Sequence, residues 1–269
     1  MLTHRIFSTL VLVSITVAAI IFYVPFIIVV SLLTLGGLYE FFTLIEKKGV
    51  RVYKYFGTVV GLTIPLSIFY RFELTKGWEL LFVVIGLISL FGLQIIKKDN
   101  SQAVFSISVT IFGILYISWL FSFIVKIRMP PHGAALLGAL IFMTKVTDIG
   151  AYLIGSRFGK HAFIPRISPK KTIEGIVGGL LFAALAALAS SSFLPKISIF
   201  STGHLIFIGV CVGVIGQLGD LSESLIKRDC LAKDSSGVIP GIGGVMDVID
   251  SLLFTAPVFY FYMYRAISQ

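Results

Sequence analysis

A chain of 269 residues that is 57% hydrophobic and only 13% charged, with a mean hydropathy of +1.00, is excluded from the soluble globular class. A soluble surface on a chain of this size needs roughly a quarter of its residues charged, so lipid must cover most of the exterior. The formal charge of +9 has two ordinary sources: Lys and Arg retained on cytoplasmic loops, or attraction to anionic partners such as lipid headgroups and nucleotides.

Nine apolar runs of about 20 residues, the length that crosses a hydrocarbon core, follow one another along the chain. They lie at about 6–23, 25–45, 55–71, 77–96, 103–125, 134–155, 174–194, 203–226 and 244–264. The first opens with a short positive region, as a signal peptide does. No small-residue cleavage site follows it, because Tyr23-Val24-Pro25 leads straight into the second run, so it reads as a retained anchor with Pro25 punctuating a tight hairpin. With alternating loops, one side carries 15 basic residues: Arg5, Lys47, Lys48, Arg51, Lys54, Lys97, Lys98, Arg157, Lys160, Arg166, Lys170, Lys171, Lys227, Arg228 and Lys233. The other side has 6: Arg71, Lys76, Lys126, Arg128, Lys196 and Arg265. The positive-inside rule places the rich side, and the N-terminus, in the cytoplasm. The expected fold is therefore all-α, a polytopic integral membrane helix bundle of about nine transmembrane helices. Residues 1–130 read as a scaffold of about five helices, with Glu40 the one clear intramembrane acid of its spans. Residues 131–269 read as a catalytic region of about four helices with two polar cytoplasmic loops, 156–173 and 227–243.

That second region holds eight of the thirteen acids. A charge inside a span is costly and points to function. The eighth run ends Gly216-Gln-Leu-Gly-Asp220-Leu-Ser-Glu223-Ser-Leu-Ile-Lys227-Arg228, and the ninth begins Gly243-Gly-Val-Met-Asp247-Val-Ile-Asp250. Each has two carboxylates at i, i+3, hence on one helix face, and the short loop between them predicts antiparallel neighbours. Four acids in low dielectric repel unless cations sit among them, and oxygen ligands suit Mg²⁺. A proton or cation pathway, or simple helix–helix pairing, is the competing reading of the same acids. Lys145 and Asp148 add an i, i+3 pair in the sixth run. The segment Ser168-Pro-Lys170-Lys171-Thr172-Ile-Glu174-Gly175 puts two lysines before the seventh run, with Ser168 or Thr172 able to cap that helix and create an anion site. Cys211 and Cys230 read as unpaired thiols, and His4, His132, His161 and His204 lack metal-ligand spacing. Lysines beside carboxylates suit phosphoryl or nucleotidyl transfer, in which a phosphate nucleophile, already anionic, needs no general base.

The stretch Ser224-Leu-Ile-Lys227-Arg228, then Lys233-Asp234-Ser-Ser-Gly-Val-Ile-Pro240-Gly241-Ile-Gly243-Gly244-Val-Met-Asp247-Val-Ile-Asp250, resembles the signature of the phosphatidate cytidylyltransferases. Asp148-Ile-Gly-Ala-Tyr152, Gly155, Gly159 and Ser168 to Gly175 resemble that family's upstream motifs, so the likeness covers about residues 144–251. The sequence departs from the pattern at Ile242, where the family usually has His, and at Val248, where it has Arg. The resemblance implies that CTP and phosphatidate give CDP-diacylglycerol and pyrophosphate with Mg²⁺, with two metal sites and a monovalent cation compatible. It implies catalytic roles for Asp220, Asp247, Asp250, Glu223, Lys227 and Asp148, with Asp220, Asp247, Glu223 and Asp250 as metal ligands. It implies substrate contacts from Lys145, Ser168, Lys170, Lys171, Thr172, Arg228, Lys233, Asp234, Gly243 and Gly244. The expected setting is the cytoplasmic (inner) membrane with the active site facing the cytoplasm, among membrane lipids, without nucleic acid, a homodimer being compatible. The rival readings are a CTP-dependent kinase or cytidylyltransferase of another lipid, and a cation-coupled transporter.

Overall fold

Apolar runs without charge leave the backbone no partner but itself, and a lipid-facing segment answers that by closing its own hydrogen bonds as a helix. In the computed structural model, which describes residues 2–71, 78–97, 99–196, 200–239 and 243–267, each of the nine runs holds a helix. They are α1 (Leu2–Ile21), α2 (Tyr23–Lys47), α3 (Lys54–Phe69), α4 (Trp78–Ile96), α5 (Ala103–Gly113) continuing through a π turn (Ile114–Trp119) into α6 (Leu120–Arg128), α7 (Gly133–Phe158), α8 (Ile173–Ser190), α9 (Thr202–Asp229) and α10 (Met246–Ile267). Among the described residues six are long and apolar enough to cross a membrane: α2, the continuous α5–α6, α7, α8, α9 and α10. The other three expected spans hold shorter apolar stretches, Thr9–Ile21, Lys54–Phe69 and Leu81–Ile96. The protein is a polytopic, all-α membrane protein with one small addition. The loop expected at 156–173 contains a two-stranded antiparallel hairpin, β1 (Ala162–Ile164) and β2 (Ser168–Thr172). Lys98 and Ile242 lie outside the described residues, as does Lys76.

Two compact units make up the chain: Met1–Val125 with Asp229–Ile249, and Lys126–Arg228 with Asp250–Gln269. In the first, α1 and α2 are separated by one extended residue, Phe22 (φ −106°, ψ 135°), so the break falls three residues before Pro25, which sits in the first turn of α2. Its interior is aromatic and aliphatic, with Leu38, Phe41, Phe42, Ile64, Ile114 and Ile117 fully buried. The π turn sits where α5 runs into α6, and Ser118 within it donates to the Gly61 carbonyl of α3. At the polar edge Arg51 pairs with Asp99, whose carboxyl is held well below the usual carboxylate range by hydrogen bonds from Ser101 and by the guanidinium. Lys48 pairs with Asp229, and burial beside that acid raises the pKa of the free thiol of Cys230.

The second unit is an up-and-down packing of α7 to α10 on small residues, the usual means of close approach between helices in lipid. Added side-chain atoms at Gly150 and Gly178 would strike Phe182 and Ile154 across α7 and α8, and at Gly209 and Gly213 would strike Ala187 and Ala183 across α8 and α9. On α9, Gly216 faces Thr255 and Gly219 faces Asp250 and Ser251, so rising number on α9 meets falling number on α10 and the two run antiparallel. A Cβ on Gly219 would lie 2.6 Å from the Asp250 carbonyl oxygen. Backbone cannot yield as a flexible side chain does. Gly219→Ala is therefore expected to destabilise the protein by about 1–3 kcal/mol, read as a lowered Tm in detergent; an unchanged Tm would mean the two helices have room to part.

Candidate active site

The second unit contains a cavity of about 450 Å³, a size that accommodates a small-molecule substrate. Its walls come from α7 (Asp148, Tyr152), β2 (Lys170, Lys171), the start of α8, and α9 (Gln217, Asp220). Local sequence explains why these groups converge. Thr172 is the last residue of β2 and also caps α8, its hydroxyl accepting from the Gly175 amide at 3.1 Å, so the hairpin delivers its lysines directly to the positive end of a helix. Of the two candidate caps, Thr172 serves; Ser168 opens β2. Glu174, in the first turn, accepts from the Lys160 and His161 amides and contacts His161 Nδ1 at 2.6 Å, which fastens the hairpin's entry. At its other end Arg228 Nε donates to the Ile167 carbonyl at 3.2 Å, so Arg228 serves here as a brace for the hairpin.

Each carboxylate lining the cavity is paired with a lysine. Lys171 Nζ lies 2.8 Å from Asp220 Oδ2, with both groups half-buried, while Lys170 is exposed. Lys145 Nζ lies 3.7 Å from Asp148 Oδ2 one turn away on α7. Asp250 is buried beside α9, accepts from the Ser251 amide and hydroxyl through Oδ1, and is within electrostatic reach of Lys145, Asp220 and Asp148. The structure thus gathers Asp148, Asp220 and Asp250 with Lys145 and Lys171. Glu223, one turn beyond Asp220 on α9, is 1% exposed and pairs with Lys227 Nζ at 2.6 Å.

The remaining expected residues lie in the first unit, on the segment leading into α10. Lys233 and Asp234 are exposed. Gly243 has φ +130°, a conformation that excludes other side chains without strain, and its amide and carbonyl bridge to Ile239. Asp247 Oδ2 accepts from the Gly244 amide at 2.7 Å and contacts the Ser235 hydroxyl at 2.8 Å, so this carboxylate folds back over the first turn of α10. Val248, where the signature has Arg, is half-buried in that same turn.

The donor set of the cavity fits Mg²⁺ of a particular kind. Among the described residues no three acid, imidazole or thiol groups are close enough to form a ready-made cage. Magnesium seldom uses such a cage; it is bound by one or two carboxylates, waters and the phosphates of its substrate. Asp148 and Asp220, both lining the cavity, supply carboxylates of that sort.

Sequence reasoning missed the role of Glu40. Its carboxylate, 5% exposed on α2, accepts from the Ser235 and Ser236 hydroxyls and from the Val245 and Met246 amides. The available signal was an acid in an otherwise apolar span; its partners, about 200 residues further along, gave none.

Comparison with known proteins gives a consistent result. Residues 3–266 match the Cytidylyltransferase family. A phosphatidate cytidylyltransferase of Haemophilus influenzae is 31% identical, the alignment covering 98% of this chain and 99% of the relative. A phosphatidate cytidylyltransferase of Thermotoga maritima is 32% identical over 87% of this chain and 85% of its own. The uncharacterized protein YnbB of Escherichia coli is 33% identical over 87% and 77%.

Proposed function

The chain belongs to the cytidylyltransferase family, and we propose from that premise that it transfers the cytidylyl group of CTP to phosphatidate, giving CDP-diacylglycerol and pyrophosphate. The observation that supports this reading most is the cavity in which Asp148 and Asp220 face the same space as Lys170 and Lys171 at the N-terminus of α8. Cations on one wall and carboxylates on the other suit a metal-bound polyphosphate, and they suit a neutral or cationic substrate poorly.

In this mechanism Lys170 and Lys171, carried to the positive end of α8, hold the triphosphate. Asp148 and Asp220 would hold Mg²⁺ together with the phosphates, with Asp250 adjacent. Asp247 is assigned a catalytic role on the family signature alone. Bound there, the ion would neutralise charge developing on the transferred phosphate and on the leaving group. A phosphatidate oxygen forms a bond to the α-phosphorus in line as the bond from that phosphorus to the α–β bridging oxygen breaks. The electron pair leaves on pyrophosphate, and no proton changes hands. The Glu223–Lys227 pair and Arg228 brace α9 and the hairpin. The diacyl substrate approaches from the bilayer, and CTP from the basic side of the membrane. We place that side in the cytoplasm, and the protein in the inner membrane.

Two outcomes check this reading. Pyrophosphate release by the purified protein is expected to require CTP and phosphatidate together, with UTP or a polyprenol failing to substitute; release with a polyprenol in place of phosphatidate would reassign the acceptor. Lys170→Ala, at an exposed position, is expected to raise KM for CTP by about 3–10-fold with kcat little changed. An unchanged KM would remove Lys170 from the nucleotide site.

A further inference from the structure

Glu40 faces the segment that precedes α10 with both of its oxygens in use. Oε1 accepts from the Ser236 hydroxyl and from the Val245 amide at 2.9 Å; Oε2 accepts from the Ser235 hydroxyl and the Met246 amide, each at 2.9 Å. Val245 immediately precedes α10 and Met246 opens it, and Val245 has no side-chain oxygen to cap the helix, so a carboxylate from α2 supplies that cap, at the end where the macrodipole favours negative charge. The fit is close: a Cβ on Gly244 would fall 2.5 Å from Glu40 Oε2 and 2.0 Å from the Ser235 hydroxyl oxygen. On α2, a Cβ on Gly36 would fall 2.8 Å from the Val245 side chain. The Ser235 hydroxyl also contacts Asp247 Oδ2 at 2.8 Å, and the Gly244 amide donates to that same oxygen. Glu40 and Asp247 therefore grip one short stretch from two sides.

We propose that Glu40 is a positioning residue for the transfer reaction: by capping α10 from α2 and holding Ser235 and Ser236, it fixes the backbone that orients the Asp247 carboxylate. Its relevance to turnover rests on the reading given above, in which Asp247 is catalytic. Charge and geometry both matter. A glutamine at this position keeps one acceptor and turns the other into a donor, and whichever way the amide is turned, its nitrogen meets a backbone N–H, that of Val245 or that of Met246. An aspartate keeps both acceptors and retreats by one methylene.

The test uses full-length protein in detergent, parent beside Glu40→Gln and Glu40→Asp, with hydrogen exchange of residues 229–249 and steady-state kinetics. In Glu40→Gln, exchange protection of Val245 and Met246 is expected to be lost and kcat to fall by about 10²-fold, the order of effect of a misplaced catalytic group. KM for CTP is expected to stay within about twofold, since Glu40 does not line the nucleotide cavity. Glu40→Asp is expected to recover much of both losses. Ser236→Ala, which removes one donor, is expected to lower kcat without unfolding the protein if Glu40→Gln fails to fold. Parental exchange and kcat in Glu40→Gln, or in Ser236→Ala where Glu40→Gln does not fold, would overturn the proposal, as would a loss confined to KM. A parent that is inactive on CTP and phosphatidate would refute the reaction instead, while the exchange data would still decide whether Glu40 fixes this segment.

Discussion

Asp220→Asn is expected to reduce cytidylyl transfer by about 10³-fold in kcat, the order of effect when a charge aimed at the reacting phosphates is removed from a pre-organised site. The substitution preserves volume and hydrogen-bonding reach, so helix α9 and its contact with α10 at Gly219 stay intact. What disappears is the negative charge that pairs with Lys171 at 2.8 Å and that would hold Mg²⁺ against the phosphates. The measurement is initial rate at saturating CTP, with a melting curve to establish that the variant is folded. Turnover near the parent's rate would remove Asp220 from the reaction and, with it, the cavity as the place of chemistry. Asp250 is the natural comparison, because it lies beside Asp220 yet is almost wholly buried.

Lys171→Ala is the second large effect, a loss of about 10²-fold in kcat/KM expressed chiefly in KM for CTP. Lys171 sits one residue before the cap of α8, so its ammonium lies at the positive end of that helix, where an anion is favoured. It is half-buried, which keeps its interactions from being screened as those of exposed Lys170 are. Removing it leaves Asp220 without its close cation and takes one positive charge from the cavity wall. The check is KM for CTP in Lys171→Ala against Lys170→Ala under one salt concentration. Equal, small effects in both would mean that the hairpin's basic residues fix membrane orientation and leave nucleotide binding to other groups.

The membrane helices were readable because lipid allows a spanning segment few solutions, and each apolar run of the sequence does hold a helix. Their crossing lengths were less readable: α3 has 16 residues, and the apolar stretches in α1 and α4 are as short, although hydropathy alone placed them beside the longer six. The hairpin β1–β2 escaped because three- and five-residue strands flanked by Pro and Lys carry no usable alternation. The antiparallel approach of α9 and α10 followed from their short connection. The partners of the charges did not follow. Glu223 and Lys227 stand at i, i+4, a spacing that permits their pairing, yet the same residues equally suit a metal and a phosphate. Lys171 and Asp220 meet only because the hairpin is turned toward α9, and Glu40 reaches Ser235 across 195 positions. Contacts of that kind are products of packing, which composition and periodicity do not encode.

The most direct test of the central claim follows which phosphate of CTP reaches the lipid. Purified protein is given phosphatidate, Mg²⁺ and CTP labelled either at the α-phosphate or at the γ-phosphate, with and without EDTA. The account predicts α-label in the lipid fraction, γ-label only in released pyrophosphate, and neither when EDTA removes the metal. Label entering lipid from the γ-phosphate would identify a kinase, and no label from either position with folded protein would contradict nucleotidyl transfer to phosphatidate altogether.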